Sequence, residues 1–119
     1  MDVTIQERAY QFSRAIVIFA RILWKSAEGR IIAQQLIRSA TSIGANIAEG
    51  QDASTKRQFL QYLQIALRSS RETQFWLRLL AESSPKADLN LIALRAENNQ
   101  IIKILVASVL RLKGMASRR

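Results

Sequence analysis

Apolar side chains recur in steps of three and four along four stretches of this chain, and each stretch traces one face of an α-helix. The first row is Ile5, Ala9, Phe12, Ile16, Phe19 and Leu23. It predicts a helix over about 4–25, opened by Thr4 with Glu7 three residues on, a capping-box spacing, and broken at Gly29. The second row, Ile32, Leu36, Ala40, Ile43 and Ile47, predicts a helix over about 30–49 with Gly50 as its C′ stop. Small residues crowd its second half. A mid-helix glycine costs about 1 kcal/mol against alanine, so Gly44 there implies a close helix–helix approach. The third row is Phe59, Leu63, Ala66, Ser70, Thr73, Leu77 and Leu80, over about 55–82, with Asp52 or Ser54 as N-cap. The fourth is Leu91, Leu94, Asn98, Ile101, Leu105 and Leu112, over about 86–112, with Ser84 as N-cap and Pro85 at the first helical position. Gly114 and the residues after it read as a frayed tail.

The connections are short, so consecutive helices must run antiparallel. The expected fold is all-α: one domain, 1–119, built as an up-and-down antiparallel four-helix bundle. Two helices carry more apolar surface than one stripe. Helix 1 adds Val17, Ala20 and Trp24, and helix 4 adds Ile102, Val106, Val109 and Leu110. A bundle helix needs only one apolar face. The extra rows fit burial against another subunit, and a wider core stripe would account for them as well.

Composition removes most catalytic chemistry. The chain has no histidine and no cysteine. It therefore lacks the commonest general base and metal ligand, and every Ser-His or Cys-His pair. Of nine carboxylates, only Glu49 and Asp52 lie within three residues of each other. No catalytic residue, metal site or cofactor is expected. The absence of cysteine fits a reducing, cytoplasmic home. The most apolar run, 15–24, is interrupted by Arg21 and is too short to span a bilayer, and no signal-peptide pattern opens the chain.

Charge supplies the positive signal. Eighteen Lys and Arg against nine Asp and Glu give a net charge of +9. Such an excess favours polyanionic partners, although cationic helix faces also serve solubility. Arg57, Arg68, Arg71 and Arg78 fall on one side of helix 3 with Gln64 and Phe75 among them. Cations interleaved with an aromatic suit phosphate contact and base stacking. Arg14, Arg21 and Lys25 form a shorter row on helix 1, and Arg111, Lys113, Arg118 and Arg119 cluster at the C-terminus. Asn46, Glu49 and Glu72 stand near the small-residue surfaces. Glu72 is expected to pair with Arg38 or Arg71 as a structural ion pair.

Two stretches carry a resemblance. They are LIRSATSIGANIAEG from Leu36 to Gly50, and FLQYLQIALRSSRETQFWLRLLAE from Phe59 to Glu82. Together they resemble the bacterial four-helix-bundle family whose founders are encoded in intervening sequences of 23S rRNA genes. Gly44, Asn46, Glu49, Gly50 and Glu72 fall within these motifs. Arg68 departs from the pattern, where a small residue, often glycine, is usual. The resemblance implies a homopentameric bundle with no established enzymatic activity. The same superfamily includes the accessory variability determinant of diversity-generating retroelements, a basic pentamer that binds a reverse transcriptase and nucleic acid. Two functions follow as expectations: a nucleic-acid-binding, RNA-directed oligomer, or an adaptor for such a reverse transcriptase.

Overall fold

The computed structural model describes residues 3–84, 86 and 88–117, with side chains as far as Gly114. Its elements are α1 (Ile5–Leu23), α2 (Ala27–Gln51), α3 (Lys56–Ser83) and α4 (Leu89–Ser117). No strand occurs among the described residues. The helices form an up-and-down bundle in which α1 packs on α2 and α4, and α3 packs on the same two from the diagonal corner.

The four seams become the core. Phe12, Ile16, Leu36, Ile43, Ile47, Leu77, Ile101 and Leu105 are all buried in one continuous cluster. Ile5, Leu23, Phe59, Leu80 and Leu112, at the ends of the rows, are partly buried against it. Polar residues also sit in the seams. Ser39, Ser70, Thr73 and Asn98 are fully buried. Thr73 Oγ1 donates to Ser39 Oγ at 2.9 Å, across α2 and α3. Asn98 Nδ2 donates to the Ser70 carbonyl at 2.9 Å and to Gln74 Oε1 at 3.2 Å. The amide is thus anchored to α3 through its Nδ2, a polar contact inside the core that favours one register of α4.

Helix boundaries differ from the sequence expectation at several points. Gly29 does not break a helix; it lies in the first turn of α2, and Ser26 is the N-cap, its Oγ accepting from the Gly29 N–H at 3.0 Å. A Cβ on Gly29 would lie 2.0 Å from the Leu23 carbonyl oxygen, so the tight α1–α2 turn is what requires glycine. Gly50 is not a C′ residue either. Helix α2 runs on to Gln51, and Gly50 is buried with a negative φ, its missing side chain leaving room for Phe59 and Tyr62. Thr55, rather than Asp52 or Ser54, caps α3, accepting from the Gln58 N–H at 3.1 Å. Helix α4 begins at Leu89, and Asp88 Oδ1 accepts from the Asn90 and Leu91 N–H groups. That displaces Ser84 as cap, while Pro85 lies outside the described residues. Gly114 continues α4 instead of ending it.

Of the four neighbouring helix pairs, α1 and α4 touch least. A two-pronged ion pair spans their seam: Arg8 Nε and Nη2 donate to Glu97 Oε2 and Oε1, both at 2.8 Å. The carboxylate raises the Arg8 guanidinium above its ordinary value. Both side chains are about one-third exposed, which holds the pair's contribution to about 1 kcal/mol. An Arg8→Met protein should therefore melt only a few degrees lower, and the difference should shrink in high salt. Thermal denaturation at two ionic strengths checks this.

Candidate functional site

The outer face of α3 carries a row of exposed cations. Helical period places Arg57, Arg68, Arg71 and Arg78 on the side opposite the buried Leu63, Ala66, Ser70, Thr73 and Leu77. All four are exposed. Arg57, Arg68 and Arg71 have no carboxylate partner among the described residues. Arg78 is different: its Nε donates to Glu82 Oε2 at 2.7 Å, one turn on. That contact holds the Glu82 carboxyl below its usual range, with Arg95 on α4 adding to the effect.

Phe75 stands between Arg71 and Arg78 in this row and is 56% exposed. It meets Trp76 edge to face, with ring centroids 5.0 Å apart and planes at 80°. The indole is itself braced. Trp76 Nε1 donates to Glu72 Oε2 at 3.0 Å, and Arg38 from α2 pairs with the same carboxylate. Of the two partners expected for Glu72, the fold selects Arg38 and leaves Arg71 in solvent. Arg38 is held in turn by Gln35 Oε1.

The helix 1 row lies elsewhere. Because α1 and α3 are diagonal, Arg14, Arg21 and Lys25 face away from the α3 row. The structure thus builds two cationic surfaces, not one. Arg14 and Arg21 flank a trough of about 720 Å³ between α1 and α2, floored by Val17, Ile18, Thr41, Gly44, Ala45 and Ala48. The extra apolar row expected on helix 1 is only partly outward. Ala20 is buried and Val17 half-buried, whereas Trp24, Tyr10, Ile18 and Ile22 are exposed. On α4, Val109 is buried and Ile102 and Val106 are half-buried, which leaves Leu110 as the exposed member of that row.

The antiparallel α3–α4 pairing brings two separate predictions together. Asn98 lies level with Ser70, so Arg57 at the start of α3 shares an end of the bundle with Arg111 and Lys113 at the end of α4. Both are exposed. Arg118 and Arg119 lie outside the described residues.

The motif residues around Gly44 serve the α2 surfaces. Asn46 Nδ2 donates to the Ser42 carbonyl and hydroxyl at 2.8 and 3.1 Å, and the Ser42 and Ser69 hydroxyls meet at 2.9 Å between α2 and α3. Glu49 is exposed and has no cationic partner among the described residues. Arg68, next to Ser69, points outward and does not obstruct this contact. No three acidic side chains converge among the described residues. No described helix is long and apolar enough to cross a membrane.

The family model described as 23S rRNA-intervening sequence protein matches residues 1–107. The chain belongs to this family. Among solved structures it is similar to a protein of unknown function from the S23 ribosomal protein family of Bacteroides thetaiotaomicron. The two are 28% identical, with a TM-score of 0.83 over 89% of this chain and 98% of that one. No curated protein matches the chain. The LIRSATSIGANIAEG and IALRSSRETQFWL stretches meet at the α2–α3 interface. Ser39, Ser42 and Asn46 from the first meet Ser69 and Thr73 from the second, directly or through Ser42. Sequence reasoning missed two ion pairs, one at the α3 face and one across the α1–α4 seam. The Arg78–Glu82 pair was signalled by its four-residue spacing. The Arg8–Glu97 pair, 89 residues apart, had no local signal.

Proposed function

We propose that this family member is a non-enzymatic, basic oligomeric module that binds nucleic acid, RNA in particular, through arginine-rich helix faces. The observation that carries this reading is the α3 face, where Arg57, Arg68 and Arg71 are exposed and unpaired among the described residues. Arg78 adds a fourth cation held only by a solvent-exposed carboxylate. Such a pair is weak, so a phosphate can take the place of Glu82 at little cost. Arginine forks onto phosphate in a way lysine does not. The family's description ties its members to sequences intervening in 23S rRNA, which favours RNA as the polyanion.

Filter binding to a structured RNA tests the reading. Four phosphate contacts correspond to a log–log salt slope of about −3, or about fiftyfold weaker binding between about 50 and about 200 mM salt. Replacing Arg57, Arg68, Arg71 and Arg78 together by Gln should remove most of that slope. No affinity at low salt, or an unchanged slope in the fourfold variant, would sink the proposal.

We also propose self-association, on the strength of the apolar residues left in solvent: Tyr10, Ile18 and Ile22 on α1, and Leu89, Ile92 and Leu110 on α4. Five copies would carry about +45, five times the +9 of one chain. Light scattering should find an oligomer, a pentamer on this proposal; a stable monomer at micromolar concentration would remove it. The α1–α2 trough supports a second reading, an adaptor for a reverse transcriptase of a diversity-generating retroelement. Its apolar floor and Arg14–Arg21 rim suit an acidic amphipathic helix from a protein partner. Gene neighbourhood separates the two: a reverse transcriptase with template repeats nearby favours the adaptor, and a position inside an rRNA gene favours the RNA binder.

A further inference from the structure

Phe75 gains the fold little where it stands. More than half of the residue is in water, and its ring contact is the edge-to-face meeting with Trp76. That contact nonetheless gives it a fixed support, because Trp76 is tied to Glu72 and Glu72 to Arg38. Arg71 lies one turn before Phe75 and Arg78 one turn after, about 6 Å and about 4.5 Å along the helix axis. A base lying on the ring would have a guanidinium on either side for its flanking phosphates.

We infer that Phe75 is a stacking platform for an unpaired base, so that the ligand of the α3 face is single-stranded RNA and not duplex. The inference rests on the proposal that this face binds nucleic acid, and adds which form it takes. A duplex keeps its base faces inside the stack, and a side chain on a rigid helix reaches them only by unstacking a step. A single strand offers those faces freely, and every base has one. A second copy of this chain fits the same face poorly. Packing the row on itself would set arginine against arginine, a like-charge juxtaposition that disfavours the contact.

The test uses the full chain, an oligouridine and a blunt RNA duplex of equal phosphate number, with wild type, Phe75→Leu and Phe75→Tyr compared by fluorescence anisotropy across a series of ionic strengths. Phe75→Leu keeps an apolar side chain but removes the π-face. It should weaken oligouridine binding about ten- to a hundredfold, while duplex binding changes less than about twofold and the salt slope stays as in wild type. Phe75→Tyr should bind oligouridine like wild type. Equal losses on strand and duplex, or no loss on the strand, would overturn the inference while leaving polyanion binding intact. A change of oligomeric state in Phe75→Leu would overturn it too, by placing the ring at a subunit contact. Wild type that binds neither RNA would remove the parent proposal as well.

Discussion

Replacing Leu77 by alanine should lower the unfolding free energy by about 3–4 kcal/mol. Leu77 is fully buried and belongs to the core cluster at the C-terminal half of α3. Truncation removes its transfer free energy and leaves a cavity, and both terms count because helices on either side cannot collapse inward without disturbing their own seams. The buried polar layer restricts relaxation further. Thr73, four residues before Leu77, is held by Ser39, and Gln74 by Asn98. A domain of this length has about 6–18 kcal/mol to lose at about 0.05–0.15 kcal/mol per residue, so the variant should fold and be measurable by urea denaturation. Leu79→Ala provides the comparison. It lies two residues away, but is 39% exposed, and its loss should stay below about 1 kcal/mol. Equal midpoints for the two variants would mean that the α3 seam is not where the structure places it.

The core of this bundle is readable without tertiary information because its period is local. A residue three or four positions from a buried one shares its face whatever the neighbour is, and the rows through Phe12, Ile43, Leu77 and Ile101 needed nothing more. The seam even identified its polar members, Ser70, Thr73 and Asn98, by position. Helix ends were less legible, since glycine has two meanings. At Gly29 and Gly50 it signals a close approach by Leu23, or by Phe59 and Tyr62, and neither neighbour can be known from the local sequence. Reading Gly29 as a stop also concealed Ser26, a good cap three residues upstream. The site divides the same way. That four arginines share a face of α3 is arithmetic along one helix. That the α1 row faces elsewhere follows from topology, which sets α1 and α3 on a diagonal. The braced Phe75–Trp76 pair depends on Arg38 arriving from α2, 34 residues before Glu72.

One substitution, glycine to alanine, should change stability in opposite directions at two places in α2. At Gly29 the new Cβ would stand 2.0 Å from the Leu23 carbonyl oxygen and 2.7 Å from Ser26 Oγ. Neither is the free end of a flexible side chain: one is backbone and the other is the N-cap of the helix. The turn must open, giving up the bond from the Gly29 N–H to Ser26 Oγ. Losing a cap costs about 1 kcal/mol, and overpacking a fixed site about 1–3 more, so Gly29→Ala should lose about 2–4 kcal/mol. At Gly44 the nearest atoms to an added Cβ are those of Ala9, at 3.7 Å, an ordinary contact distance. The close approach of α1 and α2 there is real but does not need glycine. Gly44→Ala should therefore gain about 0.5–1 kcal/mol by restricting the unfolded chain. Because Gly44 also floors the α1–α2 trough, a helix docked there would feel the added methyl. If the trough holds a partner, the more stable protein should bind that partner less tightly, separating a glycine kept for folding from one kept for a surface.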